Sequence, residues 1–280
     1  MLMYELQRRR AGMYLRDFLP YINPKYQMKW FHREIADACQ AVFEGTWQKV
    51  MISMPPQHGK SEIASKSAPA WGLGKNPDLK IVEASYSATL SGGFNRAIQR
   101  IMSTEEYKKL FPDTFLNDER LAKYRGYVCN NEMFETVGHT GYFKTIGVGG
   151  GLTGTPADVA IIDESSQILE PQIMGILCAH RNGVCAIDKF ILIGDHKQLP
   201  AVVLQRTEES QVNDETLHAI GLTDCRNSLF ERLYARQQGN GTHAMLHRQG
   251  RMHPAISHFA NLHFYGGRLD IVPVAHQQAP

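Results

Sequence analysis

A short apolar run, Lys49-Val50-Met51-Ile52-Ser53-Met54, passes through Pro55-Pro56 into Gly59-Lys60-Ser61 and on into a segment of helical spacing. That order of strand, tight turn and helix constrains the chain more than any other feature. A run of this kind suits a strand covered on both faces of a parallel sheet, and parallel strands require crossover connections, usually helices. The start of the following helix offers unpaired backbone amides and the positive end of its dipole, which favour an anion. An ordinary strand-to-helix turn that happens to contain Gly-Lys-Ser is the bland alternative.

The rest of the chain repeats the alternation. Residues 26–44 carry Trp30, Phe31, Ile35, Ala38, Val42 and Phe43 at helical spacing, closed by Gly45. The pattern predicts helices over 62–72, 92–102, 105–110 and 171–179, strands over 79–85, 159–162 and 189–195, and a hairpin within 133–151. Alternating strands and helices are the signature of an α/β fold. No internal repeat is visible. Residues 205–215 and 237–241 read as loops, and 275–280 as a frayed end.

Composition narrows the class. With 280 residues, 43% hydrophobic and 21% charged, the chain can bury a large core. No apolar run approaches the roughly 20 residues that span a bilayer. Arg8-Arg9-Arg10 near the start lacks the apolar stretch of a signal peptide, so a cytoplasmic protein with no membrane partner is expected. Five cysteines, an odd number without a Cys-x-x-Cys pair, suggest reduced thiols. A net charge of +2 gives no bulk argument for nucleic acid, although a local basic groove is compatible with it.

The chemistry concentrates in two places. Gly-x-x-x-x-Gly-Lys-Ser/Thr is the Walker A pattern, in which amides cradle phosphates, lysine reaches the outer phosphates and the hydroxyl ligates magnesium. Gly59, Lys60 and Ser61 fit it, while Met54 stands where the first glycine belongs. Ile161-Ile162-Asp163-Glu164 is an apolar run ending in two carboxylates, a pair able to hold Mg2+ and orient water. Gly149-Gly150-Gly151 has no lysine at the right spacing and reads as a turn. Five histidines, His243, His247, His253, His258 and His263, include one i, i+4 pair, His243 and His247, but no accompanying ligand pattern makes them a zinc site.

The loop MPPQHGKSE of residues 54–62 resembles that of phage terminase large subunits, the ATPases that pump DNA into procapsids. Residues 30–53, 84–113 and 147–164 resemble that family's entry helix and first strand, its second strand and helix, and its Walker B approach. The resemblance implies ATP and Mg2+ as cofactors. Gln57, His58, Gly59, Lys60, Ser61 and Asp163 would hold the nucleotide, Ser61 and Asp163 the metal, and Glu164 would activate water. It also offers Arg96 or Arg100 for the γ-phosphate, against the plainer reading of solvated helix arginines. DNA would be the partner, with a homo-oligomer or a portal-type protein as further partners.

After the acidic pair the resemblance changes. DESSQILEPQIMGIL, FILIGDHKQLPAVVLQ, SLFERLY and GRMHPAISHFANLHFYGGRL resemble a superfamily 1 helicase of the nonsense-mediated-decay type. By that resemblance Asp163, Glu164 and Gln167 form motif II, and Gly194, Asp195 and Gln198 form motif III, with Gln198 sensing the γ-phosphate. Arg251 takes the motif IV position and would stabilise charge on the transferred phosphoryl group, although Gly250 replaces the usual aromatic before it. The expected fold is a P-loop NTPase, RecA-like, a three-layer α/β core with a mostly parallel sheet. Residues 1–164 would form its terminase-like part, and residues 165–280 its helicase-like part plus the start of a second domain. Neither a nuclease nor a complete second motor domain is evident, so DNA cutting is not expected. Two functions remain open from sequence: a DNA-directed ATPase, and a truncated or recombinant chain that binds nucleotide or nucleic acid without turnover.

Overall fold

The computed structural model describes residues 2–55, 58–116, 126–147, 156–178, 180–181, 184–198, 200–237, 248–249 and 253–271. Its contacts divide the chain into two units, Met1–Arg232 and Leu233–Pro280.

The first unit begins with helices α1 (Leu2–Met13), α2 (Leu15–Ile22) and α3 (Trp30–Phe43), followed by strand β1 (Lys49–Ser53). The segment after the phosphate loop opens as a π-helical stretch, Glu62–Ser67, and continues as α4 (Ala68–Lys75). Next come β2 (Lys80–Ser85), α5 (Ala88–Met102), α6 (Glu105–Leu110), β3 (Met133–Glu135), β4 (Tyr142–Gly147) and β5 (Ala157–Asp163). A 3-10 turn, Ser165–Gln167, leads to α7 (Glu170–Leu177), the small hairpin β6 (His180–Arg181) and β7 (Val184–Cys185), and then β8 (Ile187–Gly194). Short helices α8 (Thr207–Ser210) and α9 (Glu215–Ala219) precede α10 (Leu229–Gln237).

Six strands form one sheet in the order β1-β8-β5-β2-β4-β3. All pairings are parallel except the β3–β4 hairpin. The P-loop NTPase α/β fold is thus present, and its sheet takes strands from both sides of the Asp163-Glu164 pair. Because β8 arrives last and inserts between β1 and β5, the carboxyl ends of β1, β8, β5 and β2 share one edge. Ligands of open α/β sheets sit at that edge, where strand order reverses.

The predicted strands and helices lie close to where periodicity placed them. Gly45, with φ +80°, closes α3 as expected. The helix predicted over 62–72 is π-helical for its first six residues and runs on to Lys75. Residues 205–215 include the one-turn helix α8, too short for periodicity to reveal. Helices α1 and α2 were not read from the sequence. Only Ala11 of α1 is buried, so it carries no apolar stripe, whereas α2 does carry one, Leu15, Phe18, Leu19 and Ile22, but over only eight residues interrupted by Pro20.

Tertiary packing secures these two helices. Phe18, Tyr107 and Phe111 form an aromatic cluster with centroids 5.2–6.2 Å apart. The Tyr107 hydroxyl donates to the Ala70 carbonyl at 2.9 Å, and Trp71 Nε1 donates to the Ala11 carbonyl at 3.2 Å. These buried aromatics place the N-terminal helices against α4 while satisfying their polar atoms.

The second unit has its own local order. Helix α11 (Pro254–Tyr265) is capped by His253, whose Nδ1 accepts from the Ala255 amide, and it closes at Gly266 in the left-handed region. Asn261 bonds both ways to the backbone of Leu269, and β9 (Arg248–Gln249) pairs in parallel with β10 (Asp270–Ile271).

Two glycines should respond oppositely to a methyl group. A Cβ on Gly141 would stand 2.1 Å from the Pro77 carbonyl oxygen and 2.8 Å from that of Leu79, whereas one on Gly93 inside α5 would meet nothing within 4 Å. Gly141→Ala is expected to destabilise by about 1–3 kcal/mol. Gly93→Ala should stabilise by about 0.5–1 kcal/mol through helix propensity. Urea unfolding of both variants reads the two signs.

Candidate active site

The phosphate loop is pressed against the entry helix. Gly59 has φ +77°, and a Cβ there would lie 2.7 Å from the Tyr26 hydroxyl and 3.0 Å from His32 Nε2. Glycine is therefore required for backbone conformation and for space. The Lys29 amide donates to His32 Nδ1 at 3.1 Å, so the ring's proton sits on Nε2, which faces the backbone of His58. Burial holds the His32 pKa below its ordinary value, keeping the ring neutral at pH 7. The His58 ring lies 6.0 Å from that of Phe31. Tyr26 and His32 thus support the loop, a role the sequence reading missed because neither belongs to the glycine-lysine-serine signature.

Lys60, Ser61, Asp163 and Glu164 converge. Lys60 is buried at 4% exposure, with Nζ 3.3 Å from Glu164 Oε1. Asp163 is fully buried at the end of β5. It accepts from the Glu164 amide at 2.9 Å, from the Ser65 hydroxyl at 3.2 Å and from the Ser61 hydroxyl. Burial pushes the Asp163 pKa up, with the Ser61 hydrogen bond opposing and the Glu164 charge adding to the rise.

Glu164 is the only non-glycine residue with positive φ among those described, at φ 51° and ψ 37°. For an ordinary L-residue that conformation costs about 1–2 kcal/mol. Such strain concentrates at functional positions. Here it turns the chain out of β5 so that adjacent carboxylates part, Asp163 toward Ser61 and Ser65 and Glu164 toward Lys60.

A Mg2+ ion commonly takes one or two carboxylates, keeps several waters and shares substrate phosphates. The Ser61 hydroxyl beside the Asp163 carboxylate fits that donor set. The ammonium of Lys60 cannot ligate a metal, but as a buried cation with no hydrogen-bond acceptor in good geometry among the described residues it suits a phosphate oxygen.

A third carboxyl group stands close by and was not anticipated. Glu83 lies on β2, beside β5 in register with Ile161, is fully buried, and has the Ser65 hydroxyl as its polar neighbour, although no partner of either oxygen has good hydrogen-bond geometry among the described residues. Burial raises its pKa well above the usual carboxylate range, and the Asp163 charge raises it further. A glutamate inside an apolar strand was the available signal.

The end of β8 completes the edge. The Ser165 hydroxyl donates to the Ile193 carbonyl at 2.8 Å, and the Asp195 amide donates to the Ser166 hydroxyl at 3.1 Å. These bonds tie the turn after Glu164 to the strand between β1 and β5. Gln198 Nε2 donates to Asp195 Oδ2 at 3.2 Å, and among the described residues it makes no hydrogen bond to Lys60, Ser61, Asp163 or Glu164. Ser53 and His196 Nδ1 approach to 3.4 Å across β1 and β8. In the first unit Arg232 pairs with the buried Glu170 through Nε to Oε2 at 2.8 Å, joining two of the helicase-like motifs.

Other predicted residues lie elsewhere. Arg96 and Arg100 are exposed on α5 and line a shallow groove with Gln99, Ser103, Thr104 and Asn131. Gln57 and Arg251 lie outside the described residues, as do Gly149-Gly150-Gly151, His243, His247 and Gly250.

The raised carboxyl pKa of Glu83 carries a sign. A buried acid with an elevated folded pKa takes up a proton on folding, so it opposes stability increasingly as pH rises from its unfolded value near 4.5 toward its folded pKa. Glu83→Gln removes that term. Its melting temperature should exceed that of the unaltered chain, by a margin that grows between pH 5 and pH 8, measured by circular dichroism in nucleotide-free buffer.

Two family models, each described as an AAA domain, match residues 151–206 and 225–279. The human DNA replication ATP-dependent helicase/nuclease DNA2 is 34% identical over 113 residues, covering 40% of this chain and 9% of that protein. The mouse 3'-5' exoribonuclease HELZ2 is 36% identical over 110 residues, 39% of this chain and 3% of that protein. An uncharacterized ATP-dependent helicase of Methanocaldococcus jannaschii is 34% identical over 118 residues, 42% of this chain and 14% of that protein. The chain therefore spans only a small part of these relatives. Among solved structures, the HK97 bacteriophage large terminase matches with TM-score 0.46 and 16% identity, covering 67% of this chain and 37% of that one. The large terminase ATPase domain of a Thermus phage matches with TM-score 0.34 and 18% identity, covering 60% and 70%. No described helix is long and apolar enough to cross a membrane. The chain has a P-loop NTPase fold whose C-terminal portion is similar in sequence to AAA-domain helicases and whose solved structural neighbours include phage large terminases.

Proposed function

We propose that this chain binds and hydrolyses Mg-ATP as the motor ATPase of a DNA-directed system. The observation that carries the reading is the convergence of Lys60, Ser61, Asp163 and Glu164 at the carboxyl edge of the sheet. Lys60 would pair with the outer phosphates, exchanging Glu164 for a phosphate oxygen. Released from the lysine, Glu164 can accept a proton from an attacking water. Ser61 and Asp163 would hold magnesium, which when bound neutralises charge on the β- and γ-phosphates. The loop amides after Gly59 would contribute further donors at the helix N-terminus. Gln198, which donates to Asp195 at the end of β8, would sense the γ-phosphate, and Arg251, known here from sequence alone, would stabilise charge on the transferred phosphoryl group. DNA as the partner is supported by what a protein similar in sequence is named for, a DNA replication helicase.

Lys60→Ala and Glu164→Gln should each lower steady-state ATP hydrolysis by roughly 100-fold or more, the scale of losing one charge-stabilising or proton-accepting group. Glu164→Gln should retain nucleotide binding. Unchanged hydrolysis in both variants would sink the proposal, and stimulation by RNA without stimulation by DNA would redirect the partner.

A further inference from the structure

We propose that Ser65 is a positioning residue for the Asp163 carboxylate, holding it in the orientation that receives the metal of a bound Mg-nucleotide. The inference rests on the site reading above and adds a residue outside the phosphate-loop signature. Ser65 is fully buried, and its hydroxyl donates to Asp163 Oδ2 at 3.2 Å, while the Glu164 amide occupies Oδ1 at 2.9 Å. Both oxygens of the carboxylate are thereby fixed from opposite sides. Ser61 also bonds Asp163, but its oxygen has to serve the metal as well, whereas Ser65 lies outside the phosphate loop, with its hydroxyl between the carboxyl groups of Asp163 and Glu83.

The backbone around Ser65 supports an assigned role. Residues Glu62–Ser67 are π-helical, and the Ala68 amide reaches back five residues to the Ile63 carbonyl. A π-turn is rare beside the α-turn and is found frequently at functional sites. Here the wide turn carries Ser65 beside the end of β5, one turn beyond Ser61. Glu83 sharpens the requirement. Its carboxyl group on the adjacent strand is buried and neighbours the same Ser65 hydroxyl, so without that hydroxyl Asp163 would face a second carboxyl group with one fewer donor to hold it.

The test titrates Mg2+ into the full chain with a fluorescent ATP analogue and follows nucleotide binding, with parallel binding in EDTA. Ser65→Ala should raise the half-saturating Mg2+ concentration by about three- to tenfold, a fraction of what a hydrogen bond to a charged group contributes. Its EDTA binding should stay within about twofold, because Lys60 and the loop are untouched. Ser65→Thr, which keeps the hydroxyl, should stay near the original value. An unchanged Mg2+ requirement in Ser65→Ala, or equal shifts in Ala and Thr variants, would overturn the assignment and leave the nucleotide reading standing. Absence of any Mg2+-dependent binding in the unaltered chain would instead overturn that reading and this one with it. Should Ser65→Ala fail to melt cooperatively, Ser65→Thr against Ser65→Cys makes the same comparison between a strong and a weak donor.

Discussion

The burial of Asp163 is the constraint around which this structure is arranged. A carboxylate removed from water is tolerable only when its oxygens are hydrogen-bonded, and three donors meet it: the Ser61 and Ser65 hydroxyls and the Glu164 amide. Each donor makes a demand on the surrounding fold. Ser61 must begin a helix directly beneath the end of β5, Ser65 must come round on a widened turn, and Glu164 must leave the strand through the left-handed region. Lys60 follows from the first of these demands, because the residue before Ser61 is carried to the Glu164 side chain.

Sheet order makes those demands compatible. With β8 between β1 and β5, the phosphate loop and the acidic pair sit two strands apart on one edge. The strand between them has to be slim at its end, and Gly194 meets that need. A Cβ there would lie 3.0 Å from the Ser166 amide nitrogen and 3.2 Å from Phe230. The Ser165 and Ser166 hydroxyls then stitch the turn after Glu164 to β8. Residues within the AAA-domain match supply this strand and turn, residues of the phosphate-loop half supply β1 and β2, and one sheet joins them.

Much of this was legible in residue order. The apolar run before Pro55, the run ending at Asp163 and the run over 189–195 each read as parallel strands and became β1, β5 and β8; β5 and β8 are buried along most of their length and have no polar alternation to mislead, whereas β1 is the sheet's edge strand and buries only Ile52. The hairpin over 133–151 was legible as β3 and β4 for the complementary reason, turn residues between short β-prone runs. Helices α1 and α2 were not, since their stability comes from Trp71, Phe18 and Tyr107 packing across long sequence separations. The π-helical start after Ser61 was equally invisible, because a shift from four- to five-residue hydrogen bonding leaves the apolar spacing nearly unchanged over six residues.

By itself the sequence determined the chemistry available: Gly59, Lys60 and Ser61 after a buried strand, and a strand ending in Asp163 and Glu164. Those are local patterns, set by which residues adjoin a turn or end an apolar run. Only the tertiary structure decided that Lys60 faces Glu164, that Ser65 holds Asp163, that Glu83 lies buried alongside, and that Tyr26 and His32 press on Gly59. These partners are far apart along the chain, and parallel crossovers bring them together through packing that no local periodicity records.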